Sequence, residues 1–262
     1  MNALTATSDN FSWKRVAAVA SFYIKFTDRQ LLIYGLVSLL FFVLTLLPFT
    51  GNAQAGLFTM IWTILPLLLQ MSPVVLSKHG DSRVIERLMP AKASEKFAFF
   101  LIYFLIVIPV FVYLLPELAL VIYIHVPSIQ TEEMLPLARL HQQNYPLFIV
   151  MNAFSAAAGT LTCLYVVLHA RHNRTLKGIL SVFAVMIAIG ILGAFYGAAA
   201  VFKAGYIAGS SGEVVQGAEF AAKVLDMMEE ETWYVWFITF LIAGYCCVML
   251  RYIYLQLRRP NL

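Results

Sequence analysis

The chain of 262 residues is 61% hydrophobic and only 12% charged, whereas a soluble globular domain runs at roughly 45–50% apolar and 25% charged. Its apolar residues fall in blocks of about 18 or more, the length that crosses a hydrocarbon core of about 30 Å, so a water-soluble domain, a disordered chain and a disulfide scaffold are excluded. The net charge of +4 is spread over the loops and forms no basic face for nucleic acid.

Taken in chain order, residues 1–30 form a segment too polar to cross a membrane. Within it Lys14, Ala18, Ser21, Lys25 and Asp28 recur at helical spacing, with Trp13, Val16, Val19, Phe22, Tyr23 and Phe26 around the rest of the circumference. That pattern predicts an amphipathic helix lying in the membrane interface. An uncharged run at 31–48 follows and predicts the first span. Ala53, Gln54 and Ala55 make an A-x-A after it, but the lead and the run are both too long for a secretory signal, so the run is expected to stay as an anchor. The second span is expected at 57–76.

The loop 77–96 is the most informative polar stretch. Gly80 breaks the preceding helix, Asp81 or Ser82 is placed to cap a new one, and Pro90 stops it. Between them Arg83, Val84, Ile85, Glu86, Arg87 and Leu88 make a short helix, with Val84 and Leu88 as neighbours on one face. Such a helix is suited either to dock in another protein's groove or to lie solvated at the headgroups.

Further uncharged runs predict spans at 97–124, 147–168, 179–202 and 233–252, leaving 253–262 as a basic tail. Pro109 and Pro116 allow a kink in the third span ahead of Glu117, which falls near its far end. Gly193 and Gly197 make a G-x-x-x-G in the fifth span, a face that supports close packing within the chain or against a second copy. In the loop 203–232, Ser210 and Glu213 have capping-box spacing, and Val214, Ala218, Ala221, Leu225 and Met228 continue at helical spacing. This predicts an amphipathic helix on the membrane surface, leading to Trp233 and Trp236 at the interface. The run from Leu31 to Leu47 is apolar on every face, without the period-two alternation of barrel strands, so the expected fold class is all-α, with a six-helix transmembrane domain over 31–252.

Lys and Arg set the orientation. With the N-terminus inside, fifteen of them lie in cytoplasmic segments, and Arg139, Lys203 and Lys223 alone lie outside. Both termini are therefore expected in the cytoplasm.

Reactive groups at membrane depth are nearly absent. There is no H-E-x-x-H, no G-x-S-x-G and no aspartate pair within the spans, so an intramembrane protease or hydrolase has no residues to use. His169 and His172 are i and i+3, but Arg171 and Arg174 beside them repel a metal. Cys163, Cys246 and Cys247 fall inside apolar runs and read as small hydrophobes. No G-x-x-x-x-G-K-[ST] occurs, so the chain offers no nucleotide cradle of its own, and any ATP-driven role needs a partner's motor.

Met89, Pro90 and Ala91, followed by Glu95, Lys96 and Phe97, resemble the L-P-A-S-x-x-E-K-[FY] stretch ahead of the third span in permease subunits of type-2 ABC exporters, especially a group common in Bacteroidetes. Met89 stands for Leu and Lys92 for Ser. The order of parts is also similar across the whole chain, while the motif covers about ten residues. The resemblance implies a multi-pass protein of the bacterial inner membrane that is not itself an enzyme and pairs with a second permease subunit as homodimer or heterodimer. It implies that Arg83–Leu88 is a coupling helix docking on an ABC ATPase subunit, which holds the ATP and magnesium. The rival expectation from the residues is a membrane scaffold or sensor that binds partner proteins without transport.

Overall fold

The computed structural model describes residues 11–47, 53–78, 91–130, 145–170, 172–211 and 232–258. The chain forms helices α1 (Trp13–Leu46), α2 (Ala53–Met71), α3 (Ala93–Ile102), α4 (Ile108–His125), α5 (Tyr145–His169), α6 (Arg174–Ser211) and α7 (Thr232–Arg258). A 3-10 helix at Ser72–Lys78 prolongs α2, a π-helical turn at Tyr103–Val107 joins α3 to α4, and a 3-10 turn at Pro127–Ile129 follows α4. No strand occurs among the described residues. The all-α, multi-pass expectation is met: five stretches are long and apolar enough to cross a membrane, at Arg29–Leu46, Ala93–His125, Val150–His169, Arg174–Phe195 and Val235–Arg258. The sixth apolar stretch is shorter, at Met60–Leu76.

Two elements differ from expectation. The interfacial helix and the first span are one helix, α1, of 34 residues, about 50 Å long at 1.5 Å per residue. No Pro or Gly stands between Trp13 and Ile33, so nothing halts propagation once the first turn has formed. At the other boundary α6 runs unbroken through 38 residues to Ser211. Ser210 therefore falls within the last turn of this helix. The rest of that predicted surface helix, like Arg83–Leu88, falls outside the described residues.

The helices run up and down. Arg15 of α1 meets Glu95 of α3, Gln30 of α1 meets Ser72 at the end of α2, Phe97 of α3 meets Tyr254 of α7, and Tyr165 of α5 meets Tyr252 of α7. The starts of α1 and α3 and the ends of α2, α5 and α7 thus gather at one end of the bundle, called here the latch end. From there α6 sets out after a short turn in which Asn173 adopts a left-handed φ of 53°, a conformation Asn tolerates better than most residues. Ala170 N–H closes the last turn of α5 on Val166 O, and Arg174 Nε donates back to Ala170 O.

α5 is the central post, packed against α2, α6 and α7. Between apolar helices in lipid, close approach and polar contacts drive association, because lipid tails solvate Leu as well as a protein does. Gly159 of α5 supplies that approach, since a Cβ there would collide with the Gln70 side chain of α2. Gly178 of α6 likewise faces Val167, at 2.9 Å from an added Cβ. Gly193, by contrast, has open space around it. Cys163 and Cys246 are buried as expected, while Cys247 is exposed on α7.

Gly159→Leu should cost about 1–3 kcal/mol through overpacking, with part of the loss recovered by Gln70→Ala in the same chain. Gly193→Leu should change stability by no more than about 0.5 kcal/mol. Thermal unfolding of the purified protein in one detergent checks all three.

Candidate functional site

Two groups of buried polar side chains, both involving α1, lie toward the latch end, while Thr45 and Thr239 are buried near the other end and bond within their own helices. The first is built on Glu95. At the third position of α3, Glu95 reaches back to accept the Lys92 N–H at 3.0 Å, one half of a capping box. The same carboxylate accepts the Ser12 N–H at 3.0 Å and two bonds from Arg15 Nε at 2.9 and 3.0 Å, and Arg15 Nη2 stands 2.7 Å away. The Glu95 side chain is fully buried. A buried carboxylate needs donors on its lone pairs, and here one group closes the N-terminus of α3 and the N-terminus of α1 together. Ser12 immediately precedes α1, so its N–H, free of any intrahelical partner, is available to an acceptor 83 residues away in sequence.

Aromatic packing widens this latch. Tyr23 of α1 stacks on Phe99 at 5.2 Å and sets its edge to Phe100 at 5.4 Å. Val16, Val19 and Tyr23 are buried at i, i+3 and i+7, which makes the predicted amphipathic face of 11–30 a packing face against α3.

The second group continues up the same helix. Gln30, Tyr34, Ser38, Phe41 and Thr45 form the buried stripe of α1, four of them polar. Gln30 Nε2 donates to Ser72 O at 2.8 Å and to Tyr34 Oη at 3.2 Å, Tyr34 Oη donates to Leu68 O at 3.1 Å, and Tyr103 Oη donates to Gln30 Oε1 at 3.4 Å. The reason lies in α2. Past Leu68 its carbonyls run out of α-helical partners, beginning with Leu69 O, to which Pro73 has no N–H to offer. Tyr34 takes Leu68 O, and Thr160 of α5 shares its hydroxyl proton between Leu69 O at 3.3 Å and Ala156 O at 2.8 Å. Close by in the chain, Ser72 Oγ and Gln70 Oε1, with Ser38 Oγ higher on α1, are buried without a hydrogen-bond partner among the described residues.

Tyr103 opens the π turn, where Ile108 N–H bonds to Tyr103 O five residues back. Pro109 follows directly and interrupts the ladder. The kink allowed at Pro109 is thus realised as a π turn, a form frequent at functional sites. At Pro116 the helix continues through the proline.

Both groups brace the loop 77–96. Its leading foot is the 3-10 helix Ser72–Lys78, held by Gln30; its trailing foot is the start of α3, held by Arg15 and Ser12. Of the residues singled out from sequence, Arg83, Val84, Ile85, Glu86, Arg87 and Leu88 lie between these feet, outside the described residues. Gly193 and Gly197 lie far along α6, away from the latch. Sequence reading missed Gln30, Tyr34, Ser38, Thr45 and Tyr103. The signal was present as polar residues at i, i+4, i+8 and i+15 in an otherwise apolar run, since polar groups in spans face the bundle interior. Among the described residues no three His, Cys, Asp or Glu side chains group as metal ligands.

Glu95→Ala should release the start of α1, so that trypsin cleaves at Lys14 and Arg15 faster by about tenfold or more, the order expected when charge-assisted hydrogen bonds open; peptide mapping over time reads it. Tyr34→Phe removes the bond to Leu68 O and the acceptor of Gln30 Nε2 and should cost about 1 kcal/mol, read by thermal unfolding. Compared with protein-family models, with curated proteins and with solved structures, the chain matches none.

Proposed function

We propose that the chain is the membrane-spanning permease subunit of an ATP-driven exporter of the ABC type. In this reading the five long apolar helices and the shorter stretch at Met60–Leu76 are six spans of a bacterial inner-membrane protein with both termini in the cytoplasm, and the latch end faces inward. Loop 77–96 couples the chain to a separate ATPase subunit, which binds ATP and magnesium, and a second permease subunit completes the transporter. The open space around Gly190 and Gly193 on α6 leaves a face on which backbones can approach closely, as a second subunit needs.

What carries the reading is the double fastening of the loop. A surface loop is usually the least constrained part of a membrane protein, yet α1 holds this one at both feet, through Gln30 on Ser72 O and through Arg15 on Glu95. A push on Arg83–Leu88 would pass into α1, α2 and α3 together instead of being lost in slack chain. Rigid elements that move as a body convert a local displacement into a change of helix packing.

The test is co-purification from the native membrane in mild detergent. The expected result is a stoichiometric Walker-motif ATPase that is lost when Val84 and Leu88 are both replaced by Asp in a chain of unchanged melting temperature. Recovery of the chain without any ATPase, repeated after cross-linking in intact membranes, would overturn the exporter reading in favour of a scaffold.

A further inference from the structure

A cavity of about 420 Å³ lies where α5, α6 and α7 diverge. It exists because α6 and α7 both pack on α5 but hardly meet each other, and because the α6 residues that would close the gap are small, Ala184 and Ala188. Its size falls within the range of about 300–1,000 Å³ usual for small-ligand sites. On α6 it runs from Ser181 to Leu192, a rise of about 16 Å at 1.5 Å per residue. Half the thickness of a bilayer's hydrocarbon core is about 15 Å, so the crevice has the length of one leaflet's acyl layer.

Its polar chemistry is closed. Thr162 donates its proton to Ala158 O at 2.6 Å, which leaves Tyr245 as the donor in the 2.8 Å bond between the two hydroxyls, and Ser181 Oγ donates to Gly178 O at 2.7 Å. No hydroxyl lining the crevice keeps a proton for a ligand, and no charged residue lines it, so the wall suits hydrocarbon. At the latch end the same stripe of α6 is continued by Lys177, four residues before Ser181 and about 6 Å from it along the axis. Lys177 is exposed. The crevice therefore joins an uncharged slot of acyl length to a cation at its mouth, and basic sites beside spans recognise anionic headgroups.

We propose that this crevice seats one acyl chain of an anionic phospholipid, with the phosphate at Lys177. A second protein chain fits less well: eleven residues line the crevice, where a stable interface engages about 20–30 residues a side. The lipid supplies the third wall of α6, a helix only 11% buried over its membrane-crossing window. This inference needs only the membrane character of the chain and stands apart from the exporter reading.

The experiment reconstitutes the full chain in nanodiscs of phosphatidylglycerol and phosphatidylethanolamine in equal parts, releases it into mild detergent and reads retained lipid by native mass spectrometry. One retained phosphatidylglycerol per chain is expected, in preference to phosphatidylethanolamine. Lys177→Ala should reduce that preference by about fivefold, the weight of one interfacial cation, and the double variant Ala184→Phe, Ala188→Phe should abolish retention of both lipids. Lys177 is exposed, so its variant carries the test even where the filled crevice does not fold. Equal retention of the two lipids by the parent chain, retention unchanged by Lys177→Ala, or a second chain retained in place of lipid would each overturn the proposal.

Discussion

A peptide group inside hydrocarbon has no water to turn to, and this chain frees several such groups with its own prolines and helix ends. That constraint organises the structure. Pro73 denies a partner to Leu69 O, the end of α2 leaves the carbonyls beyond it to find partners elsewhere, and Pro109 interrupts the third apolar segment. At the end of α2 the remedies come from neighbouring helices, through Thr160 on Leu69 O and Gln30 on Ser72 O, with Tyr34 adding a bond to Leu68 O and Tyr103 holding Gln30. Each repair is also a cross-link, so the points where the backbone is broken are the points where helices are tied. The same economy holds at Glu95, whose carboxylate closes two helix starts with one set of bonds.

Much of the fold was legible because it rests on composition. Long apolar runs, their approximate limits and the all-α class follow from bilayer thickness and the need to satisfy backbone groups internally. What escaped was whatever depends on a partner distant in sequence. Glu95 could be read as a first-turn acid, but Arg15 stands 80 residues away, and nothing local announces the pairing. Tyr34, Ser38 and Thr45 sit in a run whose hydropathy dominates any window and pass as tolerated exceptions, while Gln30 falls at the end of the polar segment before it. The amphipathic pattern of 11–30 reads as a separate interfacial helix, whereas α1 runs on through it and its apolar face meets Phe99 and Phe100; pattern alone does not say whether lipid or protein covers such a face.

Two parts of the bundle carry opposite mechanical characters. Around the latch, α1, α2, α3 and α5 are joined by hydrogen bonds, stacked rings and an ion pair. On the far side α6 rests mainly on α5, with one flank on the acyl-length crevice and another open at Gly193. In the proposed exporter the first region would receive force from the ATPase and the second would meet lipid and the other permease subunit. Rigidity where load enters and looseness where surfaces must slide are what alternating exposure of a path demands.

The π turn at Tyr103–Val107 has a geometric consequence of its own. It holds one residue more than the α-helical turn it replaces, and a residue of α-helix is worth about 100° of rotation. Buried positions run every four residues through it, from Phe100 and Phe104 to Ile108, Val112 and Pro116, a spacing that would creep around a regular helix of 3.6 residues per turn. The extra residue absorbs much of that creep. Rewinding the turn would swing α3 by about 100° relative to α4, and with Ile108 kept in the core, Tyr103 would face away from Gln30. One residue of surplus chain is therefore what keeps the apolar seam of the third segment and the polar junction at its base in phase.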